Sequence, residues 1–339
     1  MKKILGILVT LVFVFLIFYK LDFHALLKAF SSLNPACFLV FLPIYFSTFI
    51  FRGFRWKFLL PEIKKSSMTS VLDYMFIGYF LNTILPARAG DFYRSYLIGK
   101  DYDVKKVKVF ASVFLERIFD GSIVLLFLLY SIISFFREPW VYNLAIGVGL
   151  FFWGGFIVLL ILAKFGHPEK LFRKTELFFQ KLPVFLQNHL LFGLNQTEKH
   201  LKSFEEGLSI FHSFSDILVS FIFTAITWFI EITLIYIVIR SYGLNIGYMA
   251  AVFTLSLTVF SAMIPVSSTF FGPYQYAFII GLAVFGISKE QALAISLTTQ
   301  FAVFILIALG GAVALMKKHT NIFNIKKEIS SHKELISEE

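Results

Sequence analysis

Residues 82–100 read N-T-I-L-P-A-R-A-G-D-F-Y-R-S-Y-L-I-G-K, and residues 101–120 continue D-Y-D-V-K-K-V-K-V-F-A-S-V-F-L-E-R-I-F-D. A polar stretch broken by Pro86 and Gly90 runs into an apolar segment that carries Glu116, Arg117 and Asp120 within five residues. The chain around it is built for lipid. Of its 339 residues, 58% are apolar and 19% aromatic, only 15% are charged, and the mean hydropathy is +0.79. A soluble domain has no interior for that much apolar surface, whereas a polytopic membrane protein needs it. At the centre of a bilayer an Arg or Asp costs about 2.5–3.5 kcal/mol even on lenient insertion scales. Three such groups so close together call for a purpose.

Six segments are long and apolar enough to cross a membrane: 4–19, 35–51, 109–135, 140–163, 216–240 and 291–316. Lys2-Lys3 followed by Ile4 to Tyr19 resembles a signal sequence, but no small-residue cleavage site follows, so it reads as a retained first span. Two further apolar regions are interrupted, 67–100 at Pro86 and Gly90, and 246–288 at Pro265, Gly272 and Pro273. Irregular backbone at membrane depth survives only where it is buried in protein or lines a wet cavity. Both regions therefore read as re-entrant hairpins. With the N-terminus cytoplasmic, that arrangement places 25 of the 31 Lys and Arg residues on the cytoplasmic side, with Lys20, Lys28, Arg137, Arg240 and Lys289 outside. This is the positive-inside distribution. An ordinary crossing at 67–85 would turn the basic loop 86–108 outward.

The two interrupted regions share a layout. Ile84-Leu85-Pro86 precedes Gly90, and Met263-Ile264-Pro265 precedes Gly272. Each is flanked by one span before and one after, giving repeat halves 35–135 and 216–316 that enter from opposite sides. Paired interrupted segments of this kind point to the central site of a transporter. The expected fold is an all-α polytopic membrane protein. It forms a single domain over 1–339, with about six full spans plus two opposed re-entrant hairpins in an inverted repeat. Residues 164–215 alternate apolar and basic residues and read either as an interfacial helix on anionic headgroups or as a plain connector. Residues 317–339 form a short basic tail, and both termini are expected on the cytoplasmic face of the cell membrane.

The residues P-A-R-A-G-D at 86–91 and E-R-I-F-D at 116–120 resemble the lysylphosphatidylglycerol synthase transmembrane region family, the flippase-like domain proteins. That family shows Pro-x-Arg-Ala-Gly-Glu and Glu-Arg-x-x-Asp, here matched at Pro86, Arg88, Ala89, Gly90, Glu116, Arg117 and Asp120, with Asp91 in place of Glu. Its second-half motif survives at Pro265 and Gly272, while Ser268, Thr269 and Phe270 replace Pro-Gly-Gly and Gln275 replaces Glu. The resemblance implies a lipid-translocation module without the soluble synthase domain, since only about 23 residues follow the last span.

Arginine holds phosphate bidentately, so Arg88, Asp91, Arg94 and Arg117 form the expected site for an anionic lipid headgroup, on a phospholipid or a polyprenyl phosphate. Arg88 and Arg94 read equally as positive-inside anchors. Glu116 and Asp120 share a helical face. With Arg117 they either lock the hairpin to the span by a buried ion pair or open to the headgroup, and the two readings are compatible. Glu231, in the middle of a span, is read as a coupling acid, a partner of Arg117 or a satisfied structural group. Gln275 and Gln300 are expected to pack. Cys37 is an inert buried thiol, and a single cysteine excludes an intramolecular disulfide. Asp101-Tyr-Asp103 is too short to stand for a glycosyltransferase motif, and Asn195-Gln-Thr197 falls on the cytoplasmic side. No phosphate-binding loop, His/Cys metal spacing or nucleic-acid signature is present. The chain is therefore expected not to be an enzyme, and to need neither cofactor nor metal. Its expected partners are membrane lipids, with a lipid-modifying enzyme as a further partner. A membrane partner without catalysis and a membrane glycosyl or acyl transferase are the alternatives.

Overall fold

Apolar runs of this length satisfy their backbone polar groups as helices, because a bilayer offers no other partner. The computed structural model describes residues 2–85, 88–135, 214–262 and 272–318, together with 142, 143, 146, 147, 149–151, 153–155 and 157. Every regular element among them is helical. The helices are α1 (Lys2–Phe18), α2 (Phe23–Ser31), α3 (Cys37–Leu59), α4 (Met68–Ile84), α5 (Ala89–Asp101), α6 (Lys106–Phe135), α7 (Phe214–Ser241), α8 (Tyr248–Ser261), α9 (Pro273–Ala283) and α10 (Lys289–Lys317).

Three helices are long and apolar enough to cross a membrane: Cys37–Leu59, Ser215–Ser241 and Lys289–Lys317. A fourth span arises if α1 and α2 count together, although they meet at a bend of 81°. Helix α1 covers the segment 4–19 expected as the first span up to Phe18, and the bend follows it. The chain turns because Lys20 takes a left-handed φ of 53° and Asp22 caps α2, accepting from the His24 and Ala25 amides. Helix α6, at 30 residues, has the length to cross and carries Glu116, Arg117 and Asp120. The expected span 140–163 lies largely outside the described residues. The connector 164–215 lies almost wholly outside them, as does the tail beyond Lys318.

Both interrupted regions are helical hairpins. Helix α4 returns as α5 and the two pack along each other; α8 returns as α9 in the same way. Glycine makes the first hairpin possible. A Cβ on Gly90 would stand 2.0 Å from the Gly78 carbonyl oxygen, and one on Gly78 would stand 2.8 Å from Cδ of Arg94. Gly281 of α9 likewise seats against Thr254 of α8. Gly90 is therefore a packing residue inside α5, and the break lies between the end of α4 at Ile84 and the start of α5 at Ala89, before which Arg88 adopts φ 52°. Pro86, Pro265 and the substituted Ser268, Thr269 and Phe270 fall outside the described residues. Gly272, at φ 109°, opens α9 and donates its amide to Gln275 Oε1 at 2.8 Å.

The helices interlock: α3 packs on α7, α4 on α10, α6 on α8, α5 on α6 and α9 on α10. Helices α3 and α7 run antiparallel. The Asn34 amide donates to the Ser241 carbonyl at 2.9 Å near one end, and Arg55 donates to Thr224 at 2.9 Å near the other. The end of α5 is tied to the end of α10 by Lys318, which donates to Asp101 Oδ2 at 2.7 Å. Burial pushes the Asp101 carboxyl up, but this bond and one from Tyr74 outweigh it and hold it below the ordinary carboxylate range.

Candidate functional site: a charged cavity among the helices

Five arginines and four carboxylates meet inside the helices. Arg94 of α5 donates to Glu116 Oε2 of α6 at 2.6 Å and lies 3.4 Å from Asp91. Its guanidinium stacks 4.6 Å from the Trp56 ring. Arg55 of α3 donates to Asp120 Oδ1 at 2.6 Å and stands 3.7 Å from Glu116. Trp228 Nε1–H adds a bond to Asp120 at 3.1 Å. Arg52, one turn before Arg55, pairs with Glu231 of α7 at 2.5 Å. Arg117 reaches Asp91 at 3.5 Å and Asp120 at 3.6 Å. Asn82 closes the hairpin by donating Nδ2–H to Asp91 and accepting the Asp91 amide, at 3.2 and 3.3 Å.

A charge taken out of water needs close partners, so short pairs whose side chains are almost wholly buried mark the structural ones. Arg55, Arg94 and Glu116 have side chains no more than 1% exposed. Arg117 is 29% exposed and holds only the longer contacts. The lock between hairpin and span is therefore Arg94–Glu116, with Arg55–Asp120 tying in α3. Glu231 pairs with Arg52, not with Arg117.

A cavity of about 900 Å³ opens beside this cluster, within the size range of small-molecule sites. Its polar part includes Arg52, Tyr79, Asn82, Arg88, Asp91, Arg117, Glu231 and Gln300. Tyr79 sits among the cations, its ring 5.6 Å from the Arg52 guanidinium and 5.9 Å from that of Arg117. Phe30, Leu33, Phe38, Leu234, Ile235 and Phe304 line the apolar part. Phe38 precedes Arg52 by fourteen positions on α3, about 21 Å along a helix, so the lining runs from charged to greasy over a lipid-like length. Both hairpins reach the wall, the first through Tyr79, Asn82, Thr83, Arg88 and Asp91 and the second through Leu255, Thr258 and Tyr274.

Of the residues expected to meet a headgroup, Arg88, Asp91 and Arg117 line the cavity. Arg94 does not: it stands behind the wall with Glu116, Asp120 and Arg55. Arg52, Arg55 and Tyr79 are additions that the structure makes. The apolar run of the sequence ends at residue 51, which places Arg52 and Arg55 in a cytoplasmic loop, but α3 continues to Leu59 and buries both. Their spacing, one face of one helix with Trp56 beside them, is the signal in the sequence that could have found them. Gln275 donates to Gln300 at 2.5 Å, joining α9 to α10 as packing residues do. Among the described residues no group of His, Cys, Asp and Glu could hold a metal.

Two UPF0104 membrane proteins of Methanocaldococcus jannaschii are similar to this chain. One is 22% identical over 98% of this chain and 97% of its own length; the other is 27% identical over 73% and 98%. Glycosyltransferase AglD of Haloferax volcanii is 28% identical over 34% of this chain and 19% of its own length. No solved structure matches. The model of the family described as the lysylphosphatidylglycerol synthase TM region matches residues 3–311, and this helical membrane protein belongs to that family.

Proposed function

We propose that this protein binds a lipid with an anionic headgroup and moves it across the cell membrane, without catalysing a chemical step. One observation carries the reading: a single cavity joins Arg52, Arg88 and Arg117 to a wall of Phe, Leu and Ile side chains. Guanidinium groups suit phosphate oxygens, and the apolar wall suits acyl or prenyl chains. A phospholipid and a polyprenyl phosphate share this chemistry. A lipid-modifying enzyme in the same membrane is the partner this role implies.

The proposed architecture is an inverted repeat of 35–135 and 216–316, within about six spans and two re-entrant hairpins. Exchanging α3 with α7, α4 with α8, α5 with α9 and α6 with α10 maps the α4–α10 contact onto α8–α6, α5–α6 onto α9–α10 and α4–α5 onto α8–α9, and this supports the repeat. The antiparallel course of α3 and α7 supports its inversion. Burial of Arg52, Arg55 and Arg94 removes three charges from the cytoplasmic tally of 25, leaving the bias toward that side. In a Cys37→Ser background, cysteines at Ser66 and Lys100 should be labelled by an impermeant reagent only from the cytoplasm. Labelling of position 100 from outside would remove the first re-entrant hairpin and the repeat with it.

Lipid movement is tested in reconstituted vesicles carrying a fluorescent anionic phospholipid. Wild type should speed its transbilayer movement, and Arg88→Ala should abolish that gain while melting within a few degrees of wild type, because Arg88 sits at the hairpin break with little packing at stake. Arg88→Lys separates a phosphate ligand from an orienting charge: full activity of the lysine variant would reduce Arg88 to an anchor.

A further inference from the structure

We propose that the cavity is built for one net negative charge: a lipid phosphodiester monoanion whose headgroup substituent is itself uncharged. This rests on the lipid-binding reading and narrows its ligand.

The buried charges sort into two layers. Behind the cavity wall, Arg55 and Arg94 face Glu116 and Asp120, a balanced set held by the 2.6 Å pairs. On the wall stand Arg52, Arg88 and Arg117 against Asp91 and Glu231, three cations to two anions among the described residues. The surplus gathers at the hairpin break. There the Asp91 carboxylate is shared by Arg117 at 3.5 Å and Arg94 at 3.4 Å, and it also lies in the field of Arg88.

An uncompensated charge in a low-dielectric site is costly, so the occupant that restores neutrality is favoured. A phosphodiester with a neutral substituent does so. A phosphomonoester, near two negative charges above pH 7, overshoots by one. A zwitterionic headgroup leaves the surplus in place, and its ammonium would need a carboxylate of its own, yet Glu231 and Asp91 are both engaged by arginines. The remaining polar wall, including Gln300, Thr258 and Tyr274, is neutral and suited to hydroxyl groups.

The test is competitive binding to the purified full-length chain in uncharged detergent at pH 8. The ligands are phosphatidylglycerol, phosphatidate, phosphatidylcholine and the acyl-free headgroup glycerophosphoglycerol. Wild type should prefer phosphatidylglycerol about tenfold or more over each of the others, a margin of about 1.4 kcal/mol. Arg88→Gln cancels the surplus on the wall and should erase the preference for phosphatidylglycerol over phosphatidylcholine. Glu231→Gln doubles the surplus and should shift the balance about tenfold toward phosphatidate. Should that variant fold poorly, the Arg88→Gln result decides alone. Phosphatidate binding as tightly as phosphatidylglycerol would overturn the single-charge assignment and leave the anionic-lipid reading standing. No preference for either anionic lipid over phosphatidylcholine would overturn both. Equal binding of glycerophosphoglycerol would show that the site takes a free phosphodiester and not a lipid.

Discussion

Arg94→Ala should leave little folded protein in the membrane. The substitution removes the 2.6 Å partner of Glu116, whose side chain is 1% exposed, and leaves that carboxylate with only Arg55 at 3.7 Å. Breaking a buried pair from one side costs roughly 3–5 kcal/mol, a large share of the about 5–15 kcal/mol that holds a typical domain. The stacking surface on Trp56 is lost as well. Arg94→Met with Glu116→Gln should recover much of the loss, because the stranded charge is then gone. Thermal melting of the solubilised variants measures both effects. Arg117→Ala should be milder, since its contacts are 3.5 and 3.6 Å and it is partly exposed. If Arg117→Ala proved the more damaging of the two, ranking these ion pairs by distance and burial would be wrong.

Gly90→Ala should be nearly as severe. The added methyl would stand 2.0 Å from the Gly78 carbonyl oxygen and 2.8 Å from the Asn82 amide nitrogen. Both are backbone atoms of α4, so no rotamer change relieves the clash. Overpacking a core typically costs about 1–3 kcal/mol and more where neighbours cannot move. Here the relief available is separation of α4 from α5, which would also part Asn82 from Asp91 and disturb the cavity wall. The expected result is a melting temperature lowered by several degrees or loss of the folded species on gel filtration. Gly78→Ala should destabilise as well, because its methyl would stand 2.8 Å from Cδ and 3.2 Å from Cβ of Arg94, the buried arginine that holds Glu116.

The fold was legible where the sequence broke its own pattern. Pro86 with Gly90, and Pro265 with Gly272, interrupt apolar runs that otherwise read as spans, and helical hairpins stand at both places. Asp91 and the Glu116-Arg117-Asp120 cluster were legible for a related reason: charge inside an apolar run has few inexpensive positions. Arg52 and Arg55 were not, because a hydropathy window ends a span at its first charge, whereas Phe54, Trp56, Phe58 and Leu59 carry α3 two turns further. The bend between α1 and α2 was hidden because Tyr19 to Asp22 read as an ordinary exit from lipid. Partner choice was not legible at all. Arg52 and Glu231 are 179 positions apart, and nothing local to either residue says which of several buried acids a given arginine will meet. The cavity likewise exists only once nine helices, α2 to α10, are placed together.

The central claim is that the charged cavity holds a lipid. Native mass spectrometry of protein extracted in a gentle detergent tests it most directly. Wild type should retain one phospholipid per chain through purification, and the Arg88→Ala, Arg117→Ala double variant, still folded, should lose it. A wild type that flies without lipid, or a double variant that keeps the same lipid in the same proportion, would contradict the claim.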